Sequence, residues 1–175
     1  MSSGVSLTGV TRFRTDVRKQ PDVYTRPMTN PAAPESTGDK ATLALMEKAY
    51  KAYAAVDIDT IVTLFADDVV FHIAGRHPLA DDYSGPEAVL GYLATVSSIS
   101  SDGGGFTVRS LLTSGTVGVA LVEGTAVHQG RVFTRPIVHV FSVIDGRVAE
   151  FWDNPFDQHA EDDFWTTAIG EGARA

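Results

Sequence analysis

The sequence predicts an α+β domain in which helices pack against one face of a curved antiparallel sheet. Three observations carry this expectation. Apolar residues between 41 and 54 recur at three- and four-residue steps, the helical period. The second half of the chain is rich in Val, Phe, Thr and Ile, in runs parted by tight-turn dipeptides. The helical signals also precede the sheet signals, where a parallel α/β fold would alternate them.

Each element can be justified in order. Leu43, Leu45, Met46, Ala49, Tyr50, Tyr53 and Ala54 form the apolar stripe of a first helix, with Asp39 as its expected N-cap. Asp57-Ile58-Asp59 ends that helix and caps a second, which runs to Phe65. Asp67-Asp68 then turns the chain into the β-rich run Val69-Val70-Phe71-His72-Ile73. The stretch 75–84 reads as irregular, and Ser84 with Glu87 reads as a capping box opening a third helix. Residues 106–112, 116–128, 131–144 and 147–153 read as strands. Gln129-Gly130 and Asp145-Gly146 are the hairpin turns between the last three. A short helix over 158–167 follows, its acidic Glu161-Asp162-Asp163 read as complementing the helix dipole. Docking of that helix through Phe164 and Trp165 is favoured over a ligand clamp made with Trp152 and Phe156.

Composition narrows the function. Of 175 residues, 43% are apolar and 21% charged, enough for one core in a domain of ordinary size. Apolar runs such as Val119-Ala120-Leu121-Val122 fall far short of the roughly 20 residues of a membrane helix. Cysteine is absent, so disulfide, thiolate-metal and thiol-nucleophile chemistry are excluded. A net charge of −8 argues against a nucleic-acid surface. The five histidines show no H-x-x-x-H or H-E-x-x-H spacing, so no metal is expected. The run Asp102-Gly103-Gly104-Gly105 precedes a strand and lacks a P-loop lysine, so it reads as a turn. No Gly-x-Ser-x-Gly element supports a serine hydrolase. No cofactor is expected, and the absence of an apolar leader segment points to the cytoplasm.

Residues 1–38 carry four prolines and no hydrophobic period, and read as a disordered tail. Residues 1–27 alone have a net charge of +3, against −11 for the rest. A transit peptide, or a false start upstream of Met28, are the other readings of that segment. The domain is expected over 39–168, with 169–175 as a C-terminal tail.

The hairpins sort side chains by face. A two-residue turn at Asp145-Gly146 places Val138 opposite Asp153 and Val140 opposite Phe151. Leu121, Glu123, Thr125, Val127, Val132 and Thr134 join that face, with a bulge allowed at Pro136. His139, Phe141, Glu150 and Trp152 take the other face, with Arg131, Phe133, Arg135 and Ile137. His72 is expected there too. One face should cover the helices and a cavity, and the other should meet a second copy in a homodimer.

The element order resembles the NTF2-like superfamily, and three stretches sharpen the likeness. They are 53–59 with 65–71, then Gly75-Arg76-His77-Pro78-Leu79-Ala80 with Tyr83-Ser84-Gly85, and Asp145-Gly146-Arg147-Val148 through Phe151-Trp152-Asp153-Asn154-Pro155. The last is similar to the C-terminus of bacterial SnoaL-like proteins. The resemblance implies a cone whose curved sheet wraps around the N-terminal helices, and a pocket for a small apolar molecule. It does not fix an activity, because the fold hosts isomerases, cyclases, dehydratases, hydrolases and non-catalytic binders.

Carried over by position, the ketosteroid isomerase base falls on Ile73, its tyrosine on Ala49 and its aspartic acid on Val138. All three are apolar, so that mechanism is not expected. Tyr50 is one residue away from the tyrosine position, a helical rotation of about 100°. The last-strand aspartate of limonene-epoxide hydrolases and the acid/base carboxylate of SnoaL-type cyclases both fall on Asp153. Asp153 is thus the expected catalytic residue, desolvated and with its pKa raised. Tyr50, Tyr53, Tyr83 and Tyr92 could offer hydroxyls to substrate, and His77 could line the mouth. Ile73, Glu123, Val138, Val140 and Phe151 complete the expected substrate-binding set. The rival expectation is a non-catalytic ligand-binding or dimerisation module.

Overall fold

The computed structural model describes residues 37–100 and 103–172. The expected tail over 1–38 therefore lies outside the described residues, except that Thr37 already begins a helix. The elements are α1 (Thr37–Ala54), α2 (Ile58–Leu64), β1 (Phe65–Ile73), β2 (Asp81–Ser84), α3 (Pro86–Ile99), β3 (Gly104–Ser114), β4 (Val117–His128), β5 (Arg131–Ile144), β6 (Arg147–Pro155) and α4 (Gln158–Gly172).

The six strands form one sheet in the order β2-β1-β6-β5-β4-β3. Every pairing is antiparallel except β1 with β6, so the sheet is mixed where a purely antiparallel one was expected. The stretch expected to be irregular contributes an edge strand, β2, which pairs Tyr83 with Phe71. The α+β class and the conical wrapping of sheet around helix hold.

Local chemistry explains most boundaries. Asp57 caps α2, accepting from the Thr60 amide at 3.0 Å and the Thr60 hydroxyl at 2.6 Å. The expected box at Ser84 and Glu87 does not form. Gly85 is the N-cap of α3 without a side-chain bond, and Pro86 fills the first turn, where a missing N–H costs nothing. Asp39 sits inside α1, and its carboxylate accepts from the Gly115 amide, tying the helix to the β3–β4 turn. Both hairpins have the expected turn chemistry. Gln129 and Gly130 have φ of 48° and 76°, and Asp145 and Gly146 have 51° and 74°, the two positive values of a type I′ turn. α4 extends to Gly172, beyond the end expected from the sequence.

The core lies between α1, α2, α3 and the inner face of the sheet, built on Met46, Val69, Val89, Ile137, Phe141 and Val148. α1 presses on β4 at Gly118, where an added Cβ would collide with the Met46 sulfur. A second cluster, of Leu79, Ala126, Phe164, Trp165 and Ala168, seats α4. Among the described residues no helix is long and apolar enough to cross a membrane.

One feature of β6 reassigns the faces. The hairpin begins in the expected register, Ile144 opposite Arg147 and Val143 opposite Val148. Ala149 is then an extra residue, a β-bulge, and the pairing continues as Ser142 with Glu150, Phe141 with Phe151 and His139 with Asp153. The inner face of β5 therefore carries Arg135, Ile137, His139, Phe141 and Val143. Val138 and Val140 point to the outer face, and so does Glu123, which pairs with Arg109 at 3.0 Å. These three expected pocket residues are corrected accordingly. Pro136, the position expected to bulge, sits in an unbroken ladder opposite Glu123.

Candidate functional site

A cavity of about 930 Å³ opens between α1, α3, the start of β3 and the inner face of the sheet. Its walls include Tyr50, Tyr53, Leu90, Leu93, Phe106, Arg135 and Trp165, with a small-residue rim at Ser97, Ser98 and Gly103 to Gly105. A smaller recess of about 90 Å³ shares Tyr50, Tyr53, Leu93 and Phe106 with it. The recess reaches the core residues Phe71, Phe141 and Phe151 and the polar groups Tyr92, His139 and Asp153. The recess is thus largely apolar, with Tyr50, Tyr53, Tyr92, His139 and Asp153 as its polar groups, whereas the wide cavity adds Arg135 and the serine rim.

Asp153 is brought there by β6 and lies beside Ile73 of β1 and His139 of β5. Its Oδ2 is 3.6 Å from His139 Nε2, an ionic contact longer than a hydrogen bond. Burial pushes the Asp153 pKa up, as expected from the sequence. The neighbouring His139, Arg135 and His77 outweigh it and hold the carboxyl below its ordinary value. The expected direction is therefore reversed, and Asp153 is a buried carboxylate that stays ionised.

His139 is the residue that sequence reasoning placed on the wrong face. It is 1% exposed, packed edge-on to Phe106 and nearly parallel to Tyr50. Its Nδ1 is 2.7 Å from the Tyr50 hydroxyl, while its Nε2 has no hydrogen-bond partner. Burial, and then the charge of Asp153, raises the Tyr50 pKa, so the phenol keeps its proton. Tyr50 was expected to be rotated out of reach. The aromatic ring spans that offset, and its hydroxyl meets the inward-facing imidazole.

The line Tyr50–His139–Asp153 has two protonation arrangements. With a neutral ring carrying its proton on Nε2, Nδ1 accepts from the phenol. With a doubly protonated ring, Nδ1–H donates to the phenol oxygen, and the phenol O–H turns toward an acceptor in the cavity. Proton delivery to, or removal from, an oxygen-bearing molecule is the chemistry this line can perform.

The other expected site residues divide as follows. Tyr53 lines both spaces and Tyr92 the recess, each with its pKa raised chiefly by burial. Phe151 lines the recess. Ile73 is buried on the inner face, opposite Asp153. Tyr83 stacks on Tyr92 and donates to the Leu79 carbonyl at 3.0 Å, outside the cavity walls. His77 is 4% exposed and lies beside Trp165, where burial lowers its pKa. Its Nδ1 accepts from the Leu79 amide, and its Nε2 has no partner.

Sequence reading missed Arg135 and Glu161. Glu161, assigned to the helix dipole, is buried, and both its oxygens engage Arg135, at 2.5 and 2.9 Å. It also accepts from the Trp165 indole. Asp162 instead accepts from the Arg76 amide at 2.9 Å, which ties α4 to the loop after β1. The available signal was an arginine in strict alternation with Ile137, His139 and Phe141, all of them inward. His72 lies on the outer face as expected, stacked on Trp152. Among the described residues, no three His, Asp or Glu side chains are grouped to hold a metal ion.

Residues 46–151 match the profile of the SnoaL-like domain. An uncharacterised Mycobacterium tuberculosis protein, Rv0034, is 26% identical over 129 residues, covering 73% of this chain and 98% of its own. Among solved structures, Bal32a from a soil-derived mobile gene cassette superposes with a TM-score of 0.71 at 22% identity, over 73% of this chain and 98% of that one. TerC, co-crystallised with polyporic acid, gives 0.61 at 19% identity, over 77% and 99%.

Proposed function

The chain belongs to the SnoaL-like domain family, and from that premise we propose that its cavity binds a small, largely apolar, oxygen-bearing molecule and moves a proton on it without a cofactor. The reaction class is isomerisation, cyclisation, dehydration or epoxide opening. The observation that carries this reading is the ionised Asp153, facing the unpartnered Nε2 of His139 in the largely apolar recess. Tyr50 takes a proton from the substrate as its own phenol proton passes to His139 Nδ1, Asp153 stabilises the imidazolium that forms, and the reverse transfer returns the proton to a substrate atom. The polyporic acid in TerC supports a pocket of this kind in the same fold.

Native mass spectrometry of freshly purified protein identifies any retained ligand and the subunit count. The chemical test follows deuterium uptake at the acidic α-carbon of 2-tetralone in D2O by NMR. Wild-type protein should accelerate uptake over buffer, and Asp153→Asn should lose ~100-fold or more of that acceleration. Wild-type protein without acceleration, or full activity in Asp153→Asn, refutes the proton-transfer reading.

A second reading, a non-catalytic binder, is favoured by the 3.6 Å gap between His139 and Asp153 and by apolar Ile73 and Ala49 at the isomerase positions. It predicts binding of 2-tetralone with no deuterium uptake. Under either reading the outer face is proposed to meet a second copy. Leu112, Val117, Leu121 and Val132 are exposed there beside Val138 and Val140, an apolar surface of the kind dimers cover.

A further inference from the structure

We infer that Arg135 orients the ligand of the wide cavity by donating from Nη1 to a neutral carbonyl oxygen. The inference rests on the cavity being a ligand site, and it names the polar group that the otherwise apolar ligand must carry.

The guanidinium is committed on two of its three nitrogens. Nε and Nη2 are taken by the two oxygens of Glu161, which the Trp165 indole holds in turn. The plane is fixed over Phe133 at 5.2 Å and near Trp165 at 5.8 Å. Such a clamp removes the rotamer freedom that a free arginine would lose on binding. Nη1 has no protein partner among the described residues, yet it is not among the buried atoms sealed from solvent. Arg135 and Trp165 both form the cavity wall. Gly124 keeps the space beside it clear, because a Cβ there would come within 3.0 Å of Nη1 and 2.7 Å of Ile137 Cδ1. The result is a rigid, charged donor open to the cavity.

Charge decides what it binds. Glu161 already neutralises Arg135, and the ionised Asp153 adds a negative charge to the same interior. A carboxylate ligand would enter a region of net negative charge at the cost of its own hydration. A neutral acceptor avoids that cost. Arginine has only donors to offer, so the ligand atom must accept, which a ketone, ester or lactone carbonyl does.

Three naphthalenes of nearly equal shape test this by isothermal titration calorimetry at pH 8. They are 2-acetylnaphthalene with a carbonyl, 2-isopropenylnaphthalene without one, and 2-naphthoate with a carboxylate. Wild-type protein should bind the ketone about tenfold more tightly than the alkene, the worth of a hydrogen bond from a charged donor, and the carboxylate least. In Arg135→Met/Glu161→Gln, which removes both charges together, the ketone-to-alkene ratio should fall to near one. An equal ratio in wild-type protein, a ratio retained in the double variant, or tightest binding of the carboxylate overturns the inference while leaving the cavity reading intact. Failure of all three to bind sinks the cavity reading and this inference with it. Should the double variant fail to fold by circular dichroism, the wild-type order decides alone.

Discussion

Breaking one side of the Arg135–Glu161 pair should be far more damaging than removing both sides. Both side chains are almost wholly buried, and two charge-assisted hydrogen bonds join them. Arg135→Met leaves the Glu161 carboxylate in the interior with only the Trp165 indole, and Glu161→Gln leaves an unneutralised guanidinium. Each single change should cost about 3–5 kcal/mol, the range for orphaning a buried charge. The double change replaces the pair with neutral groups of similar length, and the amide oxygen introduced by Glu161→Gln would still accept from the indole. It should fall within ~1 kcal/mol of wild type, so that the coupling, the double cost less the two single costs, is about 6–10 kcal/mol in magnitude. In a domain of this size each single variant should melt roughly 10–15 °C lower. Urea unfolding followed by circular dichroism measures all four proteins, in 0.1 M and 1 M NaCl. Salt should leave the coupling nearly unchanged, because the ions are shielded from solvent. Single variants costing under ~1 kcal/mol, or costs that simply add, would refute a buried, interdependent pair.

Acid should destabilise the fold in two stages. His77 has its pKa lowered in the folded chain, chiefly by burial, so below pH 6.5 the unfolded chain takes up a proton that the folded one refuses. Asp153 is also held below its ordinary value, so its contribution is intact above pH 3.8 and is lost as pH falls further. His77→Gln should flatten the stability profile just below pH 6.5 and leave the lower stage in place; an unchanged upper stage would clear His77 of the effect. Gly118→Ala should cost about 1–3 kcal/mol by denaturant titration, because its Cβ would press into the fully buried Met46, and a neutral result would mean that α1 can shift off β4. Leu121→Glu, on the outer face, should convert a dimer to monomers in light scattering at micromolar concentration without loss of helix signal. A wild-type monomer would rule out pairing through that face.

The elements were legible because their signals are local. A helical stripe, an aspartate cap and two dipeptide turns with positive φ each depend on a few neighbouring residues. The edge strand β2 was not legible, since Asp81 and Asp82 have low strand propensity and owe their conformation to pairing with β1. Asp153 was found from its setting and does lie in the recess, but its ionisation depends on His139, Arg135 and His77, which sit on other elements. Glu161 looked like an ordinary helix-terminal charge because its partner is 26 residues upstream. The faces of β5 were assigned backwards because alternation reports two faces without saying which is inward. Val138 and Val140 looked like the core side, and a polar His139 looked like the solvent side. A single unpaired alanine set Asp153 opposite His139 where Val138 was expected.

Ala149 therefore acts on β6 the way an inserted base acts on a reading frame. Every residue beyond it changes partner, although none changes identity. Without the extra residue, Glu150 and Trp152 would take the inward side of β6 that Phe151 and Asp153 hold here, while β5, already inward at Val143 before the bulge, would keep its lining. One strand can thus exchange what it offers the pocket by gaining or losing a single residue, with no substitution among the residues that line it.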